Sequence, residues 1–340
     1  MTEIQPTSPP STPRKKRFTW RRALVALVIL LVLTEVGLRL ALGLGNPVIY
    51  QPDPACGYLP VPNQHIRRFG RRNDINSFSQ RSAEVPMSKP AGTLRLLILG
   101  DSVSYGTTYI DQSKIMATLL ARDLPGQLHR PVEVLNASTG AWAVSNEWGY
   151  LKSRGTFEAD VLLFVLNTGD LTQPFSKTNF DVNGGYPGHK PATAIGELWG
   201  RYLKPRLLKQ SGPIDAGSLA APTAADDRTV TESVLADLTA AHDFARQHGA
   251  QFGIVYSPGA EGEWAQPAYE AALKQLRKWA QGLNVPIIDM QPIYAQSKQL
   301  PYLDGIHLNE HGNALVARAI EDHWPELMAT AATQPATSPK

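Results

Sequence analysis

The stretch Leu94-Arg95-Leu96-Leu97-Ile98-Leu99-Gly100-Asp101-Ser102-Val103 decides the fold. A short apolar run bounded by polar residues reads as a strand buried on both faces of a parallel sheet. The serine follows the strand end after one glycine and one aspartate. Open α/β sheets place ligands and reactive groups there, at the carboxyl ends of strands. Far downstream, Asp304-Gly305-Ile306-His307 supplies a histidine with an acid three residues before it. A serine hydroxyl is a poor nucleophile at neutral pH. It needs a base within hydrogen-bond reach, and the base needs its tautomer held. Ser102 as nucleophile, His307 as base and Asp304 as orienting acid meet that need, and an acid and a histidine three apart in a turn can approach directly. The competing readings are a helix N-cap for Ser102, a place Ser104 could also take, and a polar loop position for His307.

Outward from that strand, apolar runs alternate with helical patterns. Strands are expected at Leu94–Leu99, Val132–Asn136, Val161–Leu166, Phe252–Tyr256 and Val285–Asp289. Helices are expected near 113–124, 145–154, 228–248 and 266–281, with a last one from His311 to about Trp324. Five short strands alternating with helices imply a parallel α/β sheet covered on both faces, with right-handed crossovers. Residues 173–227 break the rhythm with repeated Gly and Pro, several aromatics and a low-complexity stretch. They leave the third strand's carboxyl end, where a long insertion is either a substrate-shaping lid or a disordered surface excursion.

The Gly-Asp-Ser block after the first strand, with the Asp-x-x-His block near the C-terminus, resembles the SGNH, or GDSL-like, esterases and lipases over roughly residues 94–325. The resemblance implies a three-layer flavodoxin-like α/β sheet of about five strands and an acyl-enzyme mechanism on the Ser102, Asp304, His307 triad. It also implies donors for an oxyanion. The Ser102 backbone N–H is the first. The family uses a glycine N–H after the second strand, which Gly140 matches in Asn136-Ala137-Ser138-Thr139-Gly140. The third is an asparagine side chain from a Gly-x-Asn-Asp block after the third strand. This chain has Asn167-Thr168-Gly169-Asp170, with Asn and Gly exchanged, so either Asn167 supplies the amide from a shifted position or that donor is missing. Asp170 reads as structural.

The chain has 340 residues, 43% of them hydrophobic and 19% charged, with a formal net charge of +3. That suffices for one sizeable α/β domain with attachments. The positive charge is concentrated near the start, and no basic and aromatic interleaving suggests a nucleic-acid partner. Residues 1–22 read as a disordered, basic cytoplasmic tail carrying Arg14, Lys15, Lys16, Arg17, Arg21 and Arg22. Residues 23–44 read as a transmembrane signal anchor about 33 Å long at ~1.5 Å per residue; a cleaved signal peptide is the alternative. Glu35 and Arg39, four apart, can pair on one helix face near the far interface. The positive-inside rule leaves the main domain on the outer, periplasmic side of a bacterial inner membrane. Residues 45–93 read as a juxtamembrane connector with a basic patch at Arg67, Arg68, Arg71 and Arg72. That patch is either solvated or set against anionic headgroups or an acidic glycan. Residues 94–328 form the hydrolase-like domain, and 329–340 a disordered tail.

The single cysteine, Cys56, excludes an intramolecular disulfide and is either passive or an intermolecular link. Asn136-Ala137-Ser138 matches a glycosylation sequon but ends a strand. His307 and His311 are spaced for zinc on a helix, yet His307 precedes the expected helix start, so no metal is expected. No phosphate loop or dinucleotide fingerprint is present, and no cofactor is expected. The expected partners are an ester substrate, such as an acylated polysaccharide, and the membrane through the N-terminal helix. The activity expected is an exported, membrane-anchored serine esterase that loses activity on the acid side of neutrality as His307 takes up a proton. The alternatives are an O-acyltransferase with the same serine chemistry and a non-catalytic carbohydrate-binding module.

Overall fold

The computed structural model describes residues 20–182, 184–208, 224–260 and 266–329. Residues 1–19 and 330–340 of the tails expected at 1–22 and 329–340, and the low-complexity stretch 209–223, lie outside the described residues, whereas Trp20–Arg22 and Ala329 are helical and not disordered. The chain opens with helix α1 (Trp20–Gly37), extended by a π-helical turn, Leu38–Leu42. Two antiparallel hairpins follow, β1 (Tyr50–Asp53) with β2 (Gly57–Pro60) and β3 (Gln64–Arg68) with β4 (Arg71–Ile75). The connector expected at 45–93 therefore contains sheet. Its strands are only four or five residues long and carry Pro52 and several charges, so no sustained alternation announces them.

The central sheet comprises β5 (Leu94–Gly100), β6 (Val132–Ser138), β7 (Val161–Asn167), β8 (Gln251–Ser257) and β9 (Ile287–Asp289). They pair in parallel in the order β6-β5-β7-β8-β9. This is the flavodoxin-like order, and the direction of strand succession reverses between β5 and β7. A crevice opens beyond the strand ends at such a reversal, where Ser102 emerges. β9 starts two residues later than the apolar run suggests. The Val285 N–H instead closes the preceding helix, Pro267–Leu283, by donating to the Ala280 carbonyl, and Pro286 has no N–H to give.

Successive β5 side chains point to opposite faces. Leu97 and Leu99 join one core cluster, while Leu94, Leu96 and Ile98 join the other. The first is covered by α4 (Val144–Arg154), α7 (Ala224–Gln247), α8 (Pro267–Leu283) and the hairpins. The second is covered by α3 (Met116–Leu128), α10 (Glu310–Asp322) and α11 (Trp324–Ala329). Ser102 itself opens a one-turn helix, α2 (Ser102–Tyr105). Between β7 and α7 the described part of the insertion holds α5 (Ala194–Glu197), a π-helical stretch Leu198–Leu203 and α6 (Lys204–Leu207), run end to end. The short α9 (Gln291–Gln296) follows β9. Cys56 is buried, which rules out the intermolecular link, and Asn136 is buried at the sheet's end with its amide on the Ser104 carbonyl.

Arg81, fully buried, joins the hairpin region to the loop that follows α2. Its guanidinium donates to the carbonyls of Tyr105 at 2.8 Å, Thr107 at 2.5 Å and Ile110 at 2.7 Å, and to the Gln112 side chain at 3.1 Å. It also lies over the Tyr105 ring, 5.0 Å from its centroid. Removing the donors leaves several buried carbonyls unpaired, each costing on the order of 1–3 kcal/mol. Arg81→Met is expected to destabilise the protein by about 3 kcal/mol or more in denaturant titrations. A loss under about 1 kcal/mol would show that the loop does not depend on this side chain.

Candidate active site

The site is built on the backbone where β5 ends. Gly100 lies so close to the Ser104 side chain and the Val165 carbonyl that a Cβ there has no room, so glycine alone lets the strand turn against β7. Asp101 then caps α2, its carboxylate accepting the Val103 N–H at 2.8 Å. The cap is therefore Asp101 and not Ser102, and the Ser102 hydroxyl remains available to side chains.

That hydroxyl lies 2.9 Å from His307 Nε2, across a separation of 205 residues in sequence. His307 Nδ1 lies 2.8 Å from Asp304 Oδ2, and the same carboxylate accepts the His307 backbone N–H at 3.0 Å. The Asp-x-x-His turn can fold back because Gly305 adopts φ +95°, a conformation that side chains other than glycine rarely take. The Leu303 N–H to His307 carbonyl bond (2.7 Å) and the Ala260 N–H to Gly305 carbonyl bond (2.6 Å) hold the turn from both sides. Ser102 is 8% exposed and His307 3%. Burial pushes the Asp304 carboxyl up, but the hydrogen bonds and charge of His307 outweigh it and hold it below the usual carboxylate range. An ionised carboxylate on Nδ1–H leaves Nε2 as the lone-pair nitrogen facing the hydroxyl, an arrangement able to draw off the serine proton. His311 faces elsewhere, onto Ser297 Oγ at 2.8 Å.

Gly140 follows β6, and its carbonyl accepts the Tyr58 hydroxyl at 2.8 Å. The Tyr186 ring, from the insertion, covers its Cα; a Cβ there would meet the Tyr186 hydroxyl oxygen at 2.6 Å. The insertion is thus packed beside the site. The Pro187 carbonyl accepts the Tyr50 N–H, and the Gln173 side chain donates to the Ala141 carbonyl.

Asn167 departs from expectation. The resemblance implies an oxyanion role for its amide, but the structure turns both hydrogens elsewhere. Nδ2 donates to Asp101 Oδ2 at 2.8 Å and to Asp170 Oδ1 at 3.0 Å, while Oδ1 accepts the Gly169 N–H at 2.5 Å. Because the asparagine ends β7 instead of following it by two residues, its side chain lies level with Asp101 and ties the two strand ends together. Asp170 also accepts the Asn167 N–H at 2.7 Å, which gives it the structural part its sequence position suggested.

Behind this tie lies a group that sequence reasoning missed. Glu147 on α4 is fully buried, and among the described residues neither carboxyl oxygen finds a hydrogen-bond partner. Burial, followed by the charge of Asp101, pushes its carboxyl well above the ordinary range. Burial and the charges of Asp101 and Glu147 push Asp170 up against the opposing Asn167 hydrogen bonds. Burial likewise raises Asp101, against the Val103 hydrogen bond and the His307 charge. Two consequences follow for pH. Below the ordinary carboxylate range, folded and unfolded chains both carry the Glu147 proton and its burial has no electrostatic cost. As pH rises past that range, the unfolded chain ionises while the folded one keeps its proton, so stability falls. Glu147→Gln is expected to remove part of this decline. It should raise the melting temperature over wild type at about pH 8 and much less at about pH 5. An equal effect at both values would show that Glu147 carries no displaced proton.

A family pattern described as the GDSL-like Lipase/Acylhydrolase family matches residues 98–315. No curated protein matches the chain. Among solved structures, TesA shares 15% identity with a TM-score of 0.41, over 69% of this chain and 98% of that one. The psychrotrophic esterase EstA from Pseudoalteromonas sp. shares 15% with a TM-score of 0.40, over 68% and 97%. Axe2, an acetylxylan esterase from Geobacillus stearothermophilus, shares 14% with a TM-score of 0.41, over 69% and 94%. The family match spans more than half of the chain, from inside β5 to inside α10, and so takes in both the Gly-Asp-Ser and the Asp-x-x-His blocks: the chain belongs to the GDSL-like lipase/acylhydrolase family of ester hydrolases.

Proposed function

We propose that the protein is a membrane-anchored serine esterase, exported so that its catalytic domain (94–328) works outside the cytoplasmic membrane. The observation that carries the reading is the relay from Ser102 through His307 to Asp304, with contacts of 2.9 Å and 2.8 Å. In the proposed reaction Ser102 Oγ attacks the ester carbonyl while His307 Nε2 takes its proton. Asp304 holds the imidazole and stabilises its charged form. The backbone N–H groups of Ser102 and Gly140 face the developing oxyanion. The imidazolium then gives its proton to the leaving alkoxide, and an acyl-serine remains. Water, deprotonated by His307, attacks the acyl-serine, and the acid leaves as Ser102 recovers its proton.

The substrate class proposed is a short acyl ester, such as an O-acetyl group on an envelope or secreted polysaccharide. The proposed position outside the cytoplasmic membrane, where such esters would be met, suggests it. Trp20–Leu42 is the one helix among the described residues long and apolar enough to cross a membrane. The basic residues preceding it favour an inside N-terminus. The segment 173–208, packed over Gly140 through Tyr186, is proposed as the wall that shapes the substrate pocket.

The test uses the full chain in detergent or nanodiscs with a short-chain aryl ester and a fluorophosphonate probe. Ser102→Ala is expected to lower turnover by about 10⁴-fold or more and to abolish labelling. Turnover that persists in Ser102→Ala would overturn the serine mechanism. A folded wild-type protein that neither turns over ester nor labels would overturn the esterase reading.

A further inference from the structure

The helix spanning residues 194–207 is built inside out. The side turned to the protein carries Glu197, 1% exposed, and Arg201, 8% exposed, together with Ala194 and Pro205. The outward side carries Trp199 at 53%, Leu203 at 40% and Leu207 at 70% exposure, with Leu208 beyond the helix end at 57%. Trp199, Leu203 and Leu207 are four apart and so share one side. A surface helix on a water-soluble domain has the opposite arrangement, with its apolar face in and its charges out. The inner charges are satisfied by the protein. Glu197 is paired with buried Arg68, Oε1 to guanidinium at 2.5 Å, and accepts the Gly45 N–H.

The helix is also fastened to α1. The Glu35 carboxylate accepts the N–H groups of Ala194 at 2.8 Å and Ile195 at 3.0 Å, and pairs with Arg39 Nε at 2.7 Å. Length then fixes depth. From Ala23 to Leu33 the uninterrupted apolar run is about 17 Å long at ~1.5 Å per residue, short of the roughly 30 Å hydrocarbon core. Only by continuing to Leu42 does the span reach about 30 Å. A membrane-crossing α1 therefore puts Arg39 about 5 Å and Glu35 about 10 Å inside the outer edge of the apolar layer, within the depth that an interfacial helix reaches. Glu35 carries the start of the 194–207 helix to the same depth.

Positive charge surrounds this apolar side. Lys204 and Arg206 are exposed on the helix itself. The β3–β4 hairpin tip sits against the end of α1, with the Phe69 N–H on the Leu42 carbonyl, and it exposes Arg67 and Arg71. The remainder of the basic patch is occupied, Arg68 by Glu197 and Arg72 by Asp111.

We propose that the 194–207 helix lies in the outer interface of the bilayer that α1 crosses. Trp199, Leu203 and Leu207 enter the boundary between headgroups and acyl chains, while Lys204, Arg206, Arg67 and Arg71 meet anionic headgroups. The surface thus has a lipid partner, and the domain is held to the membrane by two elements instead of hanging from one. This rests on the anchor reading of α1.

The test places nitroxide labels on the full chain in phosphatidylcholine–phosphatidylglycerol nanodiscs, using Leu207→Cys and Leu203→Cys, with Ile29→Cys as the α1 reference and Lys278→Cys on α8 as the aqueous reference. Cys56 is buried and stays unlabelled. Positions 29, 203 and 207 are expected to be oxygen-rich, with accessibility to a water-soluble nickel chelate several-fold below that at 278. If position 29 is in lipid while 203 and 207 are as open to nickel as 278, the docked helix is overturned and the anchor stands. If position 29 is itself open to nickel, the anchor reading and the inference fall together. Dipolar broadening between labels at 207, with exclusion of both probes, would assign the surface to a second copy of the chain and overturn the lipid partner.

Discussion

The hydrogen bond between Ser102 Oγ and His307 Nε2 is the contact on which the rest of the molecule converges. It joins the end of β5 to a turn 205 residues later, so no local propensity can make it. Five strands must first pair in register, with both faces covered, before the two segments meet. The reversal of strand order between β5 and β7 opens the crevice. Gly100 lets the chain leave the sheet without a clash, and Gly305 lets the acid fold back onto its histidine. Each local device has little value alone; together they place three side chains within hydrogen-bond distance in a nearly buried site.

The support behind that contact is electrostatically costly. Asp101, Asp170 and Glu147 are all buried, and like charges in a low-dielectric interior repel strongly. The Asn167 amide separates two of them by donating one hydrogen to each, while the Glu147 carboxyl has no hydrogen-bond partner among the described residues and burial pushes it toward its neutral form. Asp101 is the central member. It caps α2, accepts from Asn167 and lies 3.2 Å from the Ser102 hydroxyl. The acid of the Gly-Asp-Ser block thus fixes the serine's backbone while competing weakly for its proton. In the proposed mechanism His307 wins that competition because its contact is shorter and its other nitrogen is held by Asp304.

The sheet was legible in the sequence because its strands are almost entirely apolar runs, and β5, β7 and β8 fall within a residue or two of where those runs predict them. The proposed triad could be picked out of the sequence because Ser102 follows a strand end and Asp304 and His307 stand three apart in one turn. Other parts were not legible for definable reasons. The hairpins at 50–75 have strands too short and too charged to show a period. The 194–207 helix contains Gly196, Gly200 and Pro205, and its inverted amphipathicity hides it from any search for an apolar inner face. The turning of Asn167 away from the oxyanion depends on where Asp101 lies, which spacing within its own block cannot reveal. Glu147 looks like an ordinary first-turn acid on α4 until the packing of α4 against the sheet removes its water.

The proposed membrane attachment and the proposed catalytic site share elements in this chain. The insertion that covers Gly140 through Tyr186 continues into the helix that Glu35 fastens to α1, so the proposed pocket wall and the proposed lipid contact are one segment. The account's central claim is covalent chemistry at Ser102, and acyl-enzyme trapping tests it most directly. The full-length protein is mixed rapidly with an aryl acetate, quenched in acid and digested, and the peptides are weighed. The account predicts an acetyl increment confined to the peptide containing Ser102, formed before steady-state turnover and lost as water enters. Turnover with no adduct on that serine, or with the acetyl group on another residue, would contradict it.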